Sequence, residues 1–359
     1  MNISLHLPIN NVSFGQVSIG ILRYIKEKGL SPNIFPIGQI DPSFQDIDQE
    51  FAQWLQTNIN KSVRTHKKSD PIFKLWHLTG SLESFSNDQY LFTFYELDSP
   101  TPEELNIIKN QKLVFVSNKY TKNIFELHDC QNIVNVPLYF DKYNFKQTKR
   151  NYSVGDRVTF NVVGKFEKRK NHEKIIKLWI KKYGNNPKFF LNCAIYNPFI
   201  SPEDNNKIIS YLTEGKKYFN VQFLGMMPKN SLYNDYLNSA DVVIGCGTEG
   251  WALPEFHSVA LGKHALILNA AGYKEWANEE NAVIINPNGK TAVYDNMFFK
   301  EGQPFNQGNI FTFSDEDFYN GLDKVVNRVL SNRLNENGLL LQNKFTVENT
   351  VENIFNNIK

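Results

Sequence analysis

The stretch TEGWALPEFHSVALGKH, residues 248–264, follows SADVVIGCG, a sequence typical of a buried strand that runs into a glycine-rich loop. The glycines of this segment would let the backbone approach a ligand closely, and Pro254 suits the first turn of a helix. Glu255, near that helix N-terminus, is explained by the favourable interaction of an acid with the helix dipole. Glu249 lies in the loop ahead of the helix, where a carboxylate can accept hydrogen bonds from sugar hydroxyls. We therefore predict a ligand site at the end of this strand.

The composition favours a globular protein of two domains. The chain has 359 residues, of which 41% are hydrophobic and 21% charged, and its net charge is only +2. This length exceeds that of one ordinary core, and so small a net charge predicts no strong attraction of the whole chain to nucleic acid or anionic lipid. The three cysteines are too few and too widely spaced for a disulfide framework or a zinc motif. We expect a cytoplasmic protein, with no signal peptide and no transmembrane segment.

Short apolar segments alternate with helical patterns along both halves of the chain. The predicted strands of the first half are MNISLHLPI, PNIFPIG, FKLWHL, YLFTFYEL, LVFVS and NIVNVPLYF. Those of the second half are VTFNVVG, KFFLNCAIY, NVQFLG, DVVIG, HALILNA and AVIINP. Between the halves, DKYNFKQTKRNYSVGD has low apolar content and indicates a linker. Such alternation predicts an α/β fold with two parallel sheets, each covered by helices.

We therefore expect two Rossmann-like domains, residues 1–150 and 151–335, that face each other across a cleft. The tail, residues 336–359, is predicted to form helices that brace the second domain or return to the first. Open α/β sheets bind ligands at the carboxyl ends of their strands, so the predicted site is this cleft.

A second candidate loop is VVGKFEKRKNHEKII, residues 162–176. A predicted strand ends at Gly164, Lys165 stands at its tip, and Arg169 and Lys170 come just before a helix. Cations at a strand end, together with the N–H groups and dipole of a following helix, form a natural diphosphate site. The alternative is an ordinary solvated turn, because most charge runs have no other role.

Together these motifs resemble the GT-B-fold glycosyltransferases, in particular the retaining family 4 (group 1 type) with the signature E-G-x-G-L-P-x-x-E. The signature stands here as EGWALPEFH, residues 249–257. Gly164 and Lys165, with Lys170, match the G-R…K diphosphate element of that family, with lysine where arginine is usual. VQFLGMMPKNSLYNDYLNSADVVI is similar to the segment that precedes the sugar-binding loop, and FTFYELDSP, LVFVSNKYTKNIF and NVPLYFD resemble parts of the acceptor domain.

This resemblance implies transfer of a hexose or similar sugar from a UDP- or GDP-linked donor to a hydroxyl, with retention of configuration and without a metal or other cofactor. The first domain would bind the acceptor and the second the donor. The catalytic residues would be Glu249, Lys165, Lys170 and His77. The donor would be bound by Gly15, Gly164, Arg169, Gly225, Met226, Met227, Gly250, Trp251, Ala252, Leu253 and His257. The acceptor side would include Glu96, Asn11, Ser13 and Phe14, with residues 11–15 forming a loop that closes over the donor.

His257 departs from the family pattern, because it stands where the family has a second glutamate that binds the ribose of the donor. A carboxylate can accept from both hydroxyls of a diol, whereas each imidazole nitrogen makes one in-plane hydrogen bond. We expect weaker or differently arranged ribose recognition. The alternative is that His257 packs against the sheet and binds nothing.

The acceptor remains open between a saccharide or lipid-linked glycan and a hydroxymethylated DNA base. Three basic clusters, residues 61–68, 141–150 and 214–219, with the aromatic residues Tyr143, Phe145 and Tyr152 near the second, would suit nucleic acid. Basic linkers are usually only solvated, however.

Two other classes of protein are alternatives. One is a non-catalytic nucleotide-sugar-binding protein, for which His257 would mark lost activity. The other is a dinucleotide enzyme, which is disfavoured because LPINNVSFGQ after the first strand contains no G-x-G-x-x-G. The acidic DID of residues 46–48 is interpreted as a loop or helix start and not as a metal motif.

Overall fold

The structure is a computed structural model and describes residues 3–148 and 157–358. This part of the chain contains two sheets in which every pair of neighbouring strands is parallel. The first has the order β2-β1-β3-β4-β5-β6, with β1 Ser4–Pro8, β2 Asn33–Ile37, β3 Ile72–Leu75, β4 Gln89–Thr93, β5 Leu113–Val116 and β6 Ile133–Asn135. The second has the order β12-β11-β10-β7-β8-β9, with β7 Val158–Val163, β8 Phe189–Ala194, β9 Val221–Phe223, β10 Val242–Gly245, β11 His264–Leu268 and β12 Val283–Ile285.

Helices connect and cover these strands. They are α1 Ser13–Glu27, α2 Gln49–Thr65, α3 Pro102–Lys109, α4 Lys119–Glu126, α5 His172–Tyr183, α6 Pro202–Leu212, α7 Asn230–Ser239, α8 Leu253–Ala260, α9 Asp315–Ser331, α10 Glu336–Leu339, α11 Leu341–Lys344 and α12 Val347–Asn357. The predicted α/β architecture is confirmed, and each predicted strand is found. The central strands β7, β10 and β11 are buried along their whole length, because helices cover both faces of a parallel sheet.

Of three further elements, α2 was predicted only as a possible helix start at residues 46–48, and the other two had no counterpart in the sequence-based prediction. Helix α2 begins after Asp48, whose side chain accepts from the backbone N–H of Phe51 at 2.6 Å, so the DID segment is a helix start. Helix α3 has a capping box, in which Thr101 and Glu104 each bond the other's backbone N–H. The third element is an antiparallel hairpin of β13 Gly289–Ala292 and β14 Asn309–Thr312.

The C-terminal helices link both halves of the chain. In the second half, Asn335, the N-cap of α10, donates from its side chain to the carbonyls of Lys263 (3.0 Å) and Asn281 (2.7 Å). Helix α12 packs on α1, where Tyr24 donates to Glu352 at 3.0 Å. The tail therefore braces the second sheet and also returns to the first domain, as the fold prediction allowed.

The hairpin of β13 and β14 docks on the first half of the chain. Asp98 accepts hydrogen bonds from Lys290 Nζ (2.7 Å) and from the backbone N–H of Asn309 (2.8 Å). Nearby, Thr101 Oγ1 donates to the carbonyl of Pro304 at 2.6 Å. The two halves are thus in direct contact at the edge of the cleft.

The linker is packed where the structure describes it. Phe145 is 4% exposed, and the hydroxyl of Tyr143 donates to Glu27 at 2.8 Å. These two aromatic side chains therefore brace the linker and do not present a free stacking surface. Tyr152 lies outside the described residues. Within residues 3–148 and 157–358, no helix is both long and apolar enough to span a bilayer.

Candidate functional site

Two loops of the second half meet because their strands are neighbours. Strands β7 and β10 are paired in parallel, so the segments that follow them leave the sheet at the same edge. The backbone N–H of Thr248 donates to the carbonyl of Arg169 at 2.8 Å, and the side chain of Asn171 donates to the carbonyl of Cys246 at 2.7 Å. A Cβ on Gly247 would lie 2.8 Å from the Cα of Lys170, so only glycine permits this approach.

This contact assembles a network of ion pairs that we call the cleft charge network: Lys165, Arg169, Lys170, Glu96, Glu167 and Glu249. Arg169 is at its centre, with Nη1 2.9 Å from Glu249 Oε2, and Nε 2.9 Å from Glu167 Oε2 and 3.1 Å from Glu96 Oε1. Lys170 pairs with Glu249 Oε1, and Lys165 pairs with Glu167 at 2.6 Å. Glu96 follows β4 in the first half of the chain, so the network spans the cleft.

The carboxyls of this network differ in their electrostatics. Burial would raise the pKa of Glu249, but the positive charges of Arg169 and Lys170 outweigh it and lower that pKa to about 2. The pKa of Glu96 is instead raised to about 7, by burial and by the negative charges of Glu249 and Glu167. Glu249 is therefore ionised at neutral pH, whereas Glu96 is close to the midpoint of its titration.

His77 faces the same network from the first half of the chain. His77 is exposed on the cleft surface, but partial desolvation by the surrounding protein, together with the positive charges of Lys165 and Arg169, lowers its pKa to about 4. The imidazole is therefore neutral at pH 7 and can accept or donate a hydrogen bond. Its ring lies 4.4 Å from that of Phe14, centroid to centroid, which fixes its position.

Lys165 also lies on an aromatic surface. Its Nζ is 3.8 Å from the ring centroid of Phe298, in the loop of the β13–β14 hairpin, and 4.7 Å from that of Phe199. The cation is thus held by Glu167 and by two rings, a favourable arrangement for a positive charge. A bound anion would have to compete with these contacts.

The loop ahead of α8, residues 246–252, is held by the other half of the chain. The carbonyl of Gly250 accepts hydrogen bonds from Ser117 Oγ (2.8 Å) and Asn118 Nδ2 (2.5 Å). Behind it, the backbone N–H of Gly272 donates to the carbonyl of Glu249 at 2.8 Å. These bonds leave little freedom in the loop that carries Glu249.

Ala252 in this loop has a left-handed conformation, with φ +66° and ψ +58°. The position corresponds to the second glycine of the family signature, and an alanine there is strained because its Cβ crowds the backbone. We expect Ala252→Gly to raise the free energy of unfolding by about 0.5–1 kcal/mol. The strain energy that glycine relieves in the folded protein exceeds the free energy by which its extra conformational entropy stabilises the unfolded chain.

Urea denaturation measures this difference, with Ala260→Gly at the end of the same helix as the control. That residue is helical, so the control should lose about 1 kcal/mol or more. If both variants lost stability, Ala252 would not be strained.

His257 lies in the core and not on the open surface of the cleft. It is 5% exposed, and its Nε2 accepts from the backbone N–H of Asp141 at 3.2 Å. The ring is also hydrogen-bonded to the backbone of Leu253 and lies 4.5 Å from that of Phe145. This placement leaves no nitrogen for a ribose hydroxyl, so it favours the alternative that His257 packs, and its partner is the linker.

We expect His257→Glu to lower the free energy of unfolding by about 3 kcal/mol at pH 7, because it would bury a carboxylate. The carboxyl of Asp141, whose pKa is raised by burial, lies in the same region. Thermal and urea unfolding would measure the loss. The matched control is His257→Gln, which can still bond both backbone groups and should lose less. Equal stability of the glutamate variant and the wild type would show that this position is open to solvent.

The structure corrects the predicted N-terminal loop. Helix α1 begins at Ser13, so of residues 11–15 only Asn11 and Val12 precede it. Phe14 is 4% exposed, and Gly15 packs so closely that a Cβ would lie 2.1 Å from the carbonyl oxygen of Asn10. Ser13, Phe14 and Gly15 therefore belong to the packed first turn of α1 and not to a loop.

The other predicted donor residues lie at the carboxyl edge of the second sheet. Gly164 ends β7 with φ +104°, and a Cβ there would lie 3.2 Å from Lys170 Nζ. Gly225, Met226 and Met227 follow β9, and Met226 is 45% exposed. The side chain of Trp251 is buried against Phe256 and Phe345, so only its backbone remains for a ligand.

Two carboxyls near the site were not predicted to be part of it. Glu167 is bonded to both Lys165 and Arg169, and the only signal was an acid set among the cations of KFEKRK. Glu255 is buried with its Oε1 3.4 Å from the hydroxyl of Tyr273, and burial raises its pKa to about 7. The helix-dipole explanation predicted neither its burial nor this pKa.

Comparison with solved structures identifies the fold of this chain. No family model matches this sequence, and no curated protein matches it. Among solved structures, a sucrose-phosphate synthase from Thermosynechococcus elongatus is 13% identical, with a TM-score of 0.71 over 99% of this chain and 98% of that chain. HepE from Anabaena in complex with UDP-glucose is 13% identical, with a TM-score of 0.65 over 99% and 98% of the two chains. A UDP-forming trehalose-phosphate synthase from Burkholderia xenovorans is 13% identical, with a TM-score of 0.65 over 100% and 99%.

These structures share the architecture of the present chain over nearly its whole length. The chain therefore has the GT-B fold, with two parallel sheets that face each other across a cleft. The cleft charge network lies where the carboxyl ends of β7 and β10 approach the first domain.

Proposed function

We propose that this protein is a glycosyltransferase that moves a hexose or similar sugar from a nucleotide-sugar to an acceptor hydroxyl, with retention of configuration and without a metal. The observation that carries the proposal is the meeting of Lys165, Arg169 and Lys170 with Glu249 at one strand edge, opposite His77. UDP is the favoured nucleotide, because similar structures include one with UDP-glucose and one described as UDP-forming.

The cations account for how the leaving group would be stabilised. A nucleoside diphosphate gains negative charge as its bond to the sugar breaks, and Arg169 and Lys170 are already fixed at the site by the surrounding loops. Preorganised charges of this kind stabilise a transition state without first having to reorient. With cations in this role, the reaction does not require a metal ion at the diphosphate.

Glu249 and His77 suit the sugar itself. Glu249 is ionised, so it can accept hydrogen bonds from sugar hydroxyls, and its two oxygens could accept from neighbouring hydroxyls. Neutral His77 would contact the sugar from the first domain. Retention is proposed from the resemblance of residues 249–257 to the family 4 signature.

For the acceptor we propose a saccharide or lipid-linked glycan, with a DNA base as the weaker alternative. The burial of Phe145 and the hydrogen bond of Tyr143 to Glu27 remove two of the aromatic residues that would have suited nucleic acid.

The test is to incubate the protein with UDP-glucose and other UDP- and GDP-sugars, with and without candidate glycans, and to measure released nucleotide. NMR of the glycoside product reports the anomeric configuration. Release with retention is expected, at a rate that EDTA leaves unchanged. Lys170→Met should slow this release, whereas its matched control Lys177→Met, on the partly exposed face of α5, should leave the rate unchanged. Donor binding without any release would favour the non-catalytic alternative, and an inverted product would overturn retention.

A further inference from the structure

The cleft charge network has as many carboxylates as cations. Lys165, Arg169 and Lys170 are paired with Glu96, Glu167 and Glu249, each within ion-pair distance. Lys168, the fourth cation of the loop, donates to the carbonyl of Tyr294 at 3.0 Å instead. A diphosphate, which is negatively charged on both phosphates, therefore meets cations that already have partners. We therefore expect that, when the diphosphate binds, at least one of these carboxylates moves away from its cation or becomes protonated.

Glu249 and Glu167 are poorly suited to leave. Glu249 is held by Arg169 and Lys170, and Glu167 by Arg169 and Lys165. The side chain of Glu167 is only 2% exposed, and the positive charges of Arg169, Lys170 and Lys165 lower its pKa despite burial. Both residues also belong to the same half of the chain as the cations, so no movement of one domain against the other would separate them.

Glu96 differs from them in three respects. It belongs to the other domain, it contacts a single cation, and that contact is the longest of the network at 3.1 Å. Burial, together with the negative charges of Glu249 and Glu167, raises its pKa to about 7, while Arg169 and Lys170 oppose the rise. Of the three carboxyls, Glu96 therefore loses its charge most readily near neutral pH.

We propose that Glu96 is an exchangeable counter-ion of Arg169. Its carboxylate is paired with the guanidinium in the free protein, and the diphosphate of the donor replaces it on binding. This inference rests on the proposed function and adds a residue that controls donor binding. Because a neutral Glu96 removes one of the three carboxylates that compete with the diphosphate for Arg169, the donor should bind more tightly as the pH falls through the pKa of Glu96.

The test is isothermal titration calorimetry with UDP-glucose at pH 6, 7 and 8, on the wild type and on Glu96→Gln. Glutamine keeps the shape and can still accept from Arg169, but it has no charge to exchange. The control is Asp98→Asn, which lies in the same segment and removes a contact between the domains, the ion pair with Lys290 at 2.7 Å. UDP-glucose is a phosphodiester at both phosphates, so its own charge is constant over this range.

In the wild type, the affinity should rise up to about tenfold from pH 8 to pH 6, because the neutral fraction of a group with a pKa near 7 rises by that factor. Glu96→Gln should bind more tightly than the wild type at pH 8, by up to about tenfold, and its affinity should depend less on pH than that of the wild type. Asp98→Asn should follow the wild type. Glu255, which also titrates near pH 7 and faces Lys170 and Glu249, is present in all three proteins and does not affect the comparison.

The outcomes separate the inference from the proposed function. If UDP-glucose binds the wild type but Glu96→Gln has the same affinity and pH dependence, Glu96 is not the exchangeable group and the proposed function stands. If Asp98→Asn behaves like Glu96→Gln, looser contact between the domains explains the effect and the inference is wrong. If UDP-glucose binds none of the proteins at any pH, the proposed function fails, and the inference fails with it.

Discussion

Replacing Arg169 with methionine is expected to lower the free energy of unfolding by about 4 kcal/mol at pH 7, because a buried ion-pair network loses its central cation. Glu249, Glu167 and Glu96 would be left close together, with only the two lysines to balance them. Urea denaturation at pH 7 measures the loss. The control is Arg64→Met on α2, where an exposed arginine is removed, and it should change stability by less than about 0.5 kcal/mol.

The loss should depend on pH in a defined direction. Arg169 helps to hold the pKa of Glu249 at about 2, below its usual value of 4.5, so the wild type gains stability from this pair above pH 4.5 and loses it as the pH falls toward 2. The difference between wild type and Arg169→Met should therefore shrink as the pH is lowered from 5 to 3. A difference below about 1 kcal/mol at pH 7 would show that these charges are solvated and that the network contributes little.

Replacing Glu249 with glutamine is expected to lower the rate of nucleotide release from a nucleotide-sugar by about a hundredfold or more. Glutamine is similar in shape but is neutral, so it binds sugar hydroxyls less strongly than a carboxylate does. The loss should appear in kcat as well as in kcat/KM if Glu249 acts on the transition state.

The control for Glu249→Gln is Glu173→Gln on the exposed face of α5, which should retain the wild-type rate. Unfolding of both variants must be measured alongside, because a folded Glu249→Gln protein with an undiminished rate would remove Glu249 from the proposed chemistry.

The sheets and the two main loops could be predicted from the sequence because they depend on local patterns. Strands such as VVIG and HALIL are apolar along their length, as expected for strands that are covered on both faces. The carboxyl ends of parallel strands lie at one edge, so Arg169 and Glu249 could be assigned to the same cleft although they are far apart in sequence.

Other features depend on contacts that no local pattern contains. The hairpin of β13 and β14 is stabilised by docking on Asp98 and Thr101 in the other half of the chain, and its own sequence is mostly polar. The direction of His257 is determined by Phe145 and the backbone of Asp141, which are distant in sequence. Helix α3 is different, because the capping-box spacing of Thr101 and Glu104 is a local signal that the sequence does contain.

The pairing of the cations with carboxylates of the protein could not be predicted either. A basic loop and an acidic residue at one strand edge suggest separate contacts to the diphosphate and to the sugar. Whether they instead bond each other depends on distances of a few ångströms, which are set by the packing of Gly247 against Lys170. Under our proposal, the donor would have to compete with these ion pairs.

The central claim is that the cleft charge network binds a nucleotide-sugar, and thermal unfolding in the presence of UDP-glucose tests it most directly. The wild type should gain about 3 kcal/mol of stability at a hundredfold excess over the dissociation constant, seen as a rise in Tm of several degrees. Lys170→Met, which removes a cation of the network, should lose this shift, while Lys177→Met should keep it. If no UDP- or GDP-sugar raised the Tm of the wild type, the account of this cleft as a donor site would be contradicted.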